Sequence, residues 1–429
     1  MEKFVIEGGH RLHGEVTPGG NKNEALPCLA ASLLTDEPVT LRNLPRIRDV
    51  EVMLEVLEAI GTQAQWLDEH TLRLVNRGIR STTLPMELCA KVRASILFAG
   101  PVLGREGHVR LPPPGGDVIG RRRLDTHFLG FRALGAQIDW EQKAYDIRAQ
   151  RLQGAFIFLD EASVTGTENI IMAAVLSEGE TTLSNAACEP HVQGLCRMLV
   201  GMGAKIEGIG TNTLKIQGVA RLSGADHRVS ADFMEVGSWI GLAAISGSEL
   251  VVRDVVPDDL RMVRVVYERL GVQFHVEGDR LRVPPDQRLE VRNDFHNEIP
   301  QISDAPWPAF PTDLMSIAIT VATQAHGTVL FFEKMFEGRM FFTDSLQAMG
   351  ARIILCDPHR VVVVGPAPLY GARLESPDVR AGMALLTAAL VAKGTSTMYN
   401  IRQIDRGYER IEQKLQALGA RIERISDNS

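Results

Sequence analysis

The sequence predicts an α/β protein made of six copies of one unit, each with two helices and about four short strands, three copies to a lobe. Three observations carry that expectation. The first is a pattern, apolar–Gly–small–x–apolar, that closes a helical stretch six times: LEAIGTQAQW, FRALGAQIDW, LVGMGAKIEG, YERLGVQFHV, LQAMGARIIL and LQALGARIER. Its glycines, Gly61, Gly135, Gly203, Gly271, Gly350 and Gly419, are 74, 68, 68, 79 and 69 residues apart, a regularity that unrelated helix ends would not keep. The second is an apolar helix upstream of a Gly-containing turn and a strand in most copies, hydrophobic nearly all round and therefore buried. The third is a set of amphipathic helices, such as VEVMLEVLEAI and YERIEQKLQAL, whose polar stripe places them outside.

Taken in order, the buried helices are NEALPCLAASLL, VRASILFAGPVLG, ENIIMAAVLSEGETTL, EVGSWIGLAAISGSEL, DLMSIAITVATQAHGTVL and RAGMALLTAALVAKGTSTM. Each repeat glycine sits where a helix C-terminus wants a left-handed residue, and a strand-like run follows it. The chain opens on a strand, MEKFVIEGGHRL, which is expected to complete the last lobe. The lobe boundaries then fall near Gly20 and Val229, giving one lobe of residues 21–229 and another of 1–20 plus 230–429.

Totals narrow the function. A net charge of −7 argues against non-specific binding of a phosphate backbone, so any basic patch is local. Five scattered cysteines without CxxC spacing fit a reducing compartment and argue against a cysteine zinc site. No apolar run approaches the roughly 18 residues of a membrane span, and the opening strand is no signal peptide. A cytoplasmic protein is expected.

Polar residues gather where the buried helices begin: Lys22 and Asn23, Arg93, Thr165 to Asn169, Asp232 with Glu235, Thr312 and Asp313, and Asp378 with Arg380. Asp232-x-x-Glu235 reads as a capping box, and Thr312 or Asp378 as an N-cap; for these, capping and function stand equal. Lys22, Arg93 and Arg380 do not fit capping, because a cation at a helix N-terminus opposes the macrodipole unless an anion lies between. More cations follow in the loop LPPPGGDVIGRRRLDTH (Arg121 to Arg123), in FEGRMFF (Arg339) and in QIDRGYER (Arg406). Together they predict a site for a highly anionic ligand.

The motifs GGNKNEALP, VRASI, GGDVIG, TGTENI, PAFPTD, MFEGRM, DVRAGM and IDRGYERIEQKLQALGA resemble, in order and along nearly the whole chain, the UDP-N-acetylglucosamine 1-carboxyvinyltransferases of the enolpyruvyl transferase family. The resemblance implies a two-lobed inside-out α/β barrel with the active site in the cleft between lobes. It implies transfer of the enolpyruvyl group of phosphoenolpyruvate to the 3-hydroxyl of UDP-N-acetylglucosamine with release of phosphate, an early step of cell-wall synthesis. No cofactor, metal, nucleic acid or membrane is implied, and protein partners are left open. Lys22, Arg122 and Arg406 would hold phosphoenolpyruvate, with Arg339 and Arg380 on its carboxylate side. Asn23, Arg93, Thr312 and Asp313 would touch the sugar nucleotide, Asp313 as the base in the second lobe. Asp125, Thr165, Gly166, Phe336 and Asp378 complete the implied binding residues. Asp117, in a mobile loop over 111–123 of the first lobe, stands where most relatives use cysteine as the acid. A carboxylate there implies fosfomycin resistance.

The chain also departs from the family pattern. Arg123-Leu124-Asp125-Thr126 replaces Pro-Val-Asp-Leu beside the uracil, and Phe233 stands where arginine is frequent. Cys188 and His191 replace Arg and Glu, and an extra run, NDFHNEIPQISDAPW, precedes Asp313. These departures keep open a paralogue acting on another nucleotide or on shikimate 3-phosphate. A catalytically inactive ligand-binding scaffold is disfavoured because Lys22, Asp313 and Arg406 are all present.

Overall fold

The computed structural model describes residues 2–116, 119–120 and 122–426. The chain divides into two compact units, Gly20–Asp117 with Arg122–Ser230, and Met1–Gly19 with Val118–Arg121 and Ala231–Ser429. The six repeat glycines all have positive φ, from +82° at Gly271 to +114° at Gly61. Each follows an outer helix, as at Arg48–Ala59 before Gly61 and Ile411–Ala417 before Gly419. An L side chain in that backbone region is strained, which is why the position is glycine in every copy.

In the unit spanning 20–230, three buried segments form the centre: Lys22–Ala31, a 3₁₀ turn Arg93–Phe98 running into the helix Ala99–Glu106, and Val164–Ala174. The second segment differs from the continuous α-helix expected, since its first turn is 3₁₀ and the α-helix starts only at Ala99. Close approach fixes how the last two pack. A Cβ on Gly100 would lie 2.3 Å from the Asn169 carbonyl oxygen, and Asn169 Oδ1 accepts the Gly100 N–H at 2.6 Å. Three sheets cover this centre, two of four strands and one of three among the described residues. The strand Ala225–Arg228 pairs parallel with Val39–Arg42, joining the end of the unit to its beginning. His227 Nε2 meets Glu24 Oε1 at 2.8 Å, and the Ser230 N–H donates to Glu24 Oε2. The start of the Lys22–Ala31 helix is thereby tied to that strand.

The other unit repeats the plan with the helices Phe233–Ser246, Thr312–Ala322 and Val379–Val391 at its centre, under three sheets of four strands each among the described residues. The opening strand Glu2–Glu7 lies between Thr395–Tyr399 and Arg421–Ser426, antiparallel to both. The extra run before Asp313 is in part regular structure: Gln301–Ser303 pairs parallel with Gly327–Phe332 as an edge strand. Trp307 in that run packs edge-on against buried Phe233, ring centroids 5.9 Å apart, so the run is tied to the start of the Phe233–Ser246 helix.

Candidate active site

In the unit spanning 20–230, Asn21 caps the first central helix, its Oδ1 accepting the N–H groups of Asn23 (2.9 Å) and Glu24 (3.2 Å). This places Lys22 and Asn23 at the helix start, where the free N–H groups and the positive end of the dipole lie. The anion that offsets Lys22 is Asp49, whose Oδ2 is 2.8 Å from Lys22 Nζ. Both side chains are largely buried, at 13 % and 4 % exposure. Arg93 Nη2 donates to the main-chain carbonyls of Arg122 (2.8 Å) and Arg123 (3.2 Å), so Arg93 braces the arginine loop. Burial, with help from Arg122, pulls the Arg93 guanidinium down to about 10. Asp125 lies 3.2 Å from Arg123 Nε, and Arg123 Nη2 reaches Asp160 at 3.1 Å. Asp117 and Arg121 lie outside the described residues.

Thr165 and Gly166 open the third central helix, where the Gly166 N–H donates to the Ser163 cap at 3.2 Å. Thr165 is backed by His127. Asn169 accepts from Gly100 through Oδ1, so its Nδ2 is the donor to Ile96 O (2.8 Å) and to His127 Nδ1 (3.0 Å). Assigned from that network, the ring proton sits on Nε2 and points at Thr165 Oγ1, 3.2 Å away. Burial above all, and Arg93 second, push the His127 pKa down to about 3, so the ring is neutral at physiological pH. Thr165 Oγ1 thereby accepts from the ring and keeps its own proton to donate.

The other unit centres on Asp313. Its Oδ1 accepts from Arg339 Nη2 at 2.6 Å and its Oδ2 from Arg380 Nε at 3.0 Å. An acceptor-only carboxylate satisfies this arrangement, whereas a carboxyl proton would face a donor. The arginine side chains are 11 % and 5 % exposed. Burial works against both charges; Asp313 and Asp378 outweigh it at Arg339, and Tyr408, Asp313 and Asp232 do so at Arg380, holding both above the usual arginine value. Arg339 Nε and Arg380 Nη1 are buried donors that meet no acceptor among the described residues. Guanidinium N–H groups of this kind have the chemistry to pair with carboxylate or phosphate oxygens.

The helix starts in this unit divide between capping and other work. Asp378 is an N-cap, accepting from the N–H groups of Arg380 and Ala381. Asp232 caps Met234 and Glu235, but the box is not reciprocal, since Glu235 Oε2 accepts instead from the Gly19 N–H. Thr312 is not a cap: the preceding Pro311 holds that position without a side-chain bond, and Thr312 Oγ1 donates to Glu333 Oε2 at 2.8 Å. Arg339 stacks over the Phe336 ring, 5.4 Å from its centroid. Arg406 Nη1 donates to Gln403 Oε1 at 2.9 Å. Asp49, His127, Tyr408, Asp304 and Glu333 were not picked out by sequence reasoning. The one signal for Glu333 is a carboxylate at the end of an otherwise apolar strand, GTVLFFEK.

Comparison with known proteins decides the family. Residues 6–415 match the EPSP synthase (3-phosphoshikimate 1-carboxyvinyltransferase) family. The chain belongs to the EPSP synthase family. Among curated members, the UDP-N-acetylglucosamine 1-carboxyvinyltransferase of Bradyrhizobium diazoefficiens is 56 % identical over 99 % of this chain and 98 % of its own. That of Treponema denticola is 53 % identical over 99 % of each. Among solved structures, the enolpyruvyl transferase NikO from Streptomyces tendae superimposes with a TM-score of 0.88 at 25 % identity, covering 99 % of this chain and 98 % of that one. EPSP synthase from Acinetobacter baumannii, with a TM-score of 0.76 at 18 % identity, shares the fold and covers 99 % of this chain and 100 % of that one. This EPSP synthase family member is a 1-carboxyvinyl transferase, and its α/β repeat architecture is the one the sequence predicts. No helix among its described residues is long and apolar enough to cross a membrane.

Proposed function

We propose that this chain transfers the enolpyruvyl group of phosphoenolpyruvate to the 3-hydroxyl of UDP-N-acetylglucosamine and releases phosphate, the first committed step of peptidoglycan synthesis, in the cytoplasm. The acceptor oxygen bonds to C2 of phosphoenolpyruvate as its methylene carbon gains a proton; the C2–O bond to phosphate then breaks as the methyl group returns a proton. The observation that carries the reading is Asp313 held by two buried arginines with N–H groups to spare. Such a cluster suits a base beside an anionic substrate. In this reading Asp313 takes the hydroxyl proton, Asp117 supplies the carbon proton, and Lys22, Arg122 and Arg406 hold the phosphate. Arg339 and Arg380 hold the carboxylate, while Asn23, Arg93, Asp125, Thr165, Gly166, Thr312, Phe336 and Asp378 surround the acceptor. No cofactor or metal enters. The names of full-length relatives at 53–56 % identity support the choice of acceptor.

Phosphate release from phosphoenolpyruvate, measured with UDP-N-acetylglucosamine, other nucleotide sugars and shikimate 3-phosphate, tests the reading. Turnover is expected with the first; turnover only with another acceptor would replace it, as the altered Arg123–Asp125 loop makes worth checking. Lys22→Ala is expected to lower kcat/KM on the order of 10²-fold or more, as for loss of a preorganised electrostatic group. It also removes the ion pair of the buried Asp49 carboxylate, at a cost of about 1–3 kcal/mol of stability, which a shifted Tm would report. Near-normal turnover in Lys22→Ala would remove Lys22 from substrate binding.

A further inference from the structure

Behind Thr312 lie two carboxyl groups, Asp304 and Glu333, each 0 % exposed. Glu333 follows the strand Gly327–Phe332, and Asp304 follows the edge strand Gln301–Ser303 that pairs with it. Glu333 Oε2 accepts the Thr312 hydroxyl at 2.8 Å. Its Oε1 accepts the N–H groups of Met335 (3.0 Å) and Phe336 (3.1 Å). Asp304 Oδ1 accepts the Lys334 N–H at 2.6 Å. Asp304 Oδ2 is buried and meets no donor among the described residues, and the group that Asp304 faces is the Glu333 carboxyl. Two acceptor-only groups in contact away from water need a proton between them.

We propose that Asp304 and Glu333 share one proton and act as a positioning pair, fixing Thr312 and the Met335–Phe336 turn on either side of Asp313 and Arg339. The proposal deepens the transferase reading and rests on it. The Thr312 proton is committed to Glu333, so the hydroxyl has only lone pairs left and can only accept from a substrate donor. The Phe336 carbonyl accepts the Arg339 N–H at 3.3 Å, so the turn held by Glu333 also places the guanidinium that bonds Asp313.

The charged and titratable neighbours leave the pair with its proton. Arg339 attracts Glu333 but is bonded to Asp313. Lys334 Nζ lies over the Phe332 ring, 5.5 Å from its centroid. His359 Nδ1 is 2.7 Å from the Glu333 main-chain carbonyl and so does not engage its carboxyl. Burial first and Asp304 second push Glu333 up to about 8.

The folded pair thus keeps a proton that the unfolded chain loses near the ordinary Glu value of 4.5, so its contribution to stability is full below that pH and is lost as pH rises through about 8. Asp304→Asn puts an N–H where the shared proton sits and removes the like charge, leaving burial alone to raise Glu333, so the titration shrinks; Asp304→Ala leaves Glu333 without a group on that side. Between pH 5 and 8, the Tm of wild type is expected to fall relative to that of Asp304→Asn. Parallel Tm curves would overturn the shared proton. In phosphate-release assays near pH 7, Asp304→Ala is expected to lose on the order of tenfold or more in kcat, as when a reacting group loses its orienting partner, and Asp304→Asn to recover most of it. Equal loss in both variants, or in neither, would overturn the positioning role. Should Asp304→Ala not fold, the Tm comparison and the kcat of Asp304→Asn still decide. A wild type that releases no phosphate with any acceptor defeats the transferase reading instead, and the Tm arm still tests the proton.

Discussion

Asp313→Ala is expected to abolish turnover, by on the order of 10³-fold or more, because in the proposed reaction it removes the base and the group that orients two arginines meant for substrate. Both carboxylate oxygens are engaged, one by Arg339 and one by Arg380, and both arginines are nearly inaccessible. Alanine would leave two like charges buried together without their partner, a change that costs on the order of 3–5 kcal/mol. The variant should therefore melt earlier. Yet the same substitution frees N–H groups and one unit of positive charge for an anion. Calorimetry should find phosphoenolpyruvate bound at least as tightly as by wild type, and its addition should restore much of the lost Tm. Asp313→Asn should be equally inactive, since an amide is no base at neutral pH, but less destabilised because its oxygen still accepts from one arginine. Turnover within tenfold of wild type in either variant would take the base role away from Asp313.

The pattern of what was legible in the sequence follows from the range of the interactions. The six repeat glycines could be read because a positive φ at a helix end is a local demand, met by the residue itself. The central helices could be read because apolar residues all round leave only a buried place for them. The 3₁₀ turn at Arg93–Phe98 could not, since its residues are as apolar and helical in pattern as those after it. The strand Gln301–Ser303 looked like part of an insertion because the pairing that makes it a strand is with residues 330–332. At the site, the cations stood out because they are wrong for helix N-termini. What offsets them did not: Asp49 for Lys22 and Asp313 for Arg380 come from elsewhere in the chain, 27 and 67 positions away. Spacing carries no trace of such pairings. The Asp304–Glu333 contact was hidden for the same reason, and Thr312, which resembled a cap, is bonded to one member of it.

Asp117 carries the other large expectation. In the proposed reaction it delivers a proton to the methylene carbon, so it must be protonated when it acts, and activity should fall on the alkaline side as it titrates in the substrate complex. Asp117→Asn cannot deliver that proton and should show no turnover above background, while phosphoenolpyruvate still binds. Fosfomycin, an epoxide resembling phosphoenolpyruvate, separates the acid role from nucleophilicity. A thiolate at this position would open the epoxide and be alkylated; a carboxylate is a far weaker nucleophile and can still serve as an acid. The wild-type chain is expected to show at most weak, reversible competition by fosfomycin, with no loss of activity that grows with incubation time. Asp117→Cys is expected to turn over and to become sensitive, with the mass of the drug added at residue 117. Rapid alkylation of the wild-type chain would refute the assignment, as would full activity in Asp117→Asn. So would a cysteine variant that turns over normally and stays resistant, because the residue at 117 would then lie out of reach of the carbon it is meant to protonate.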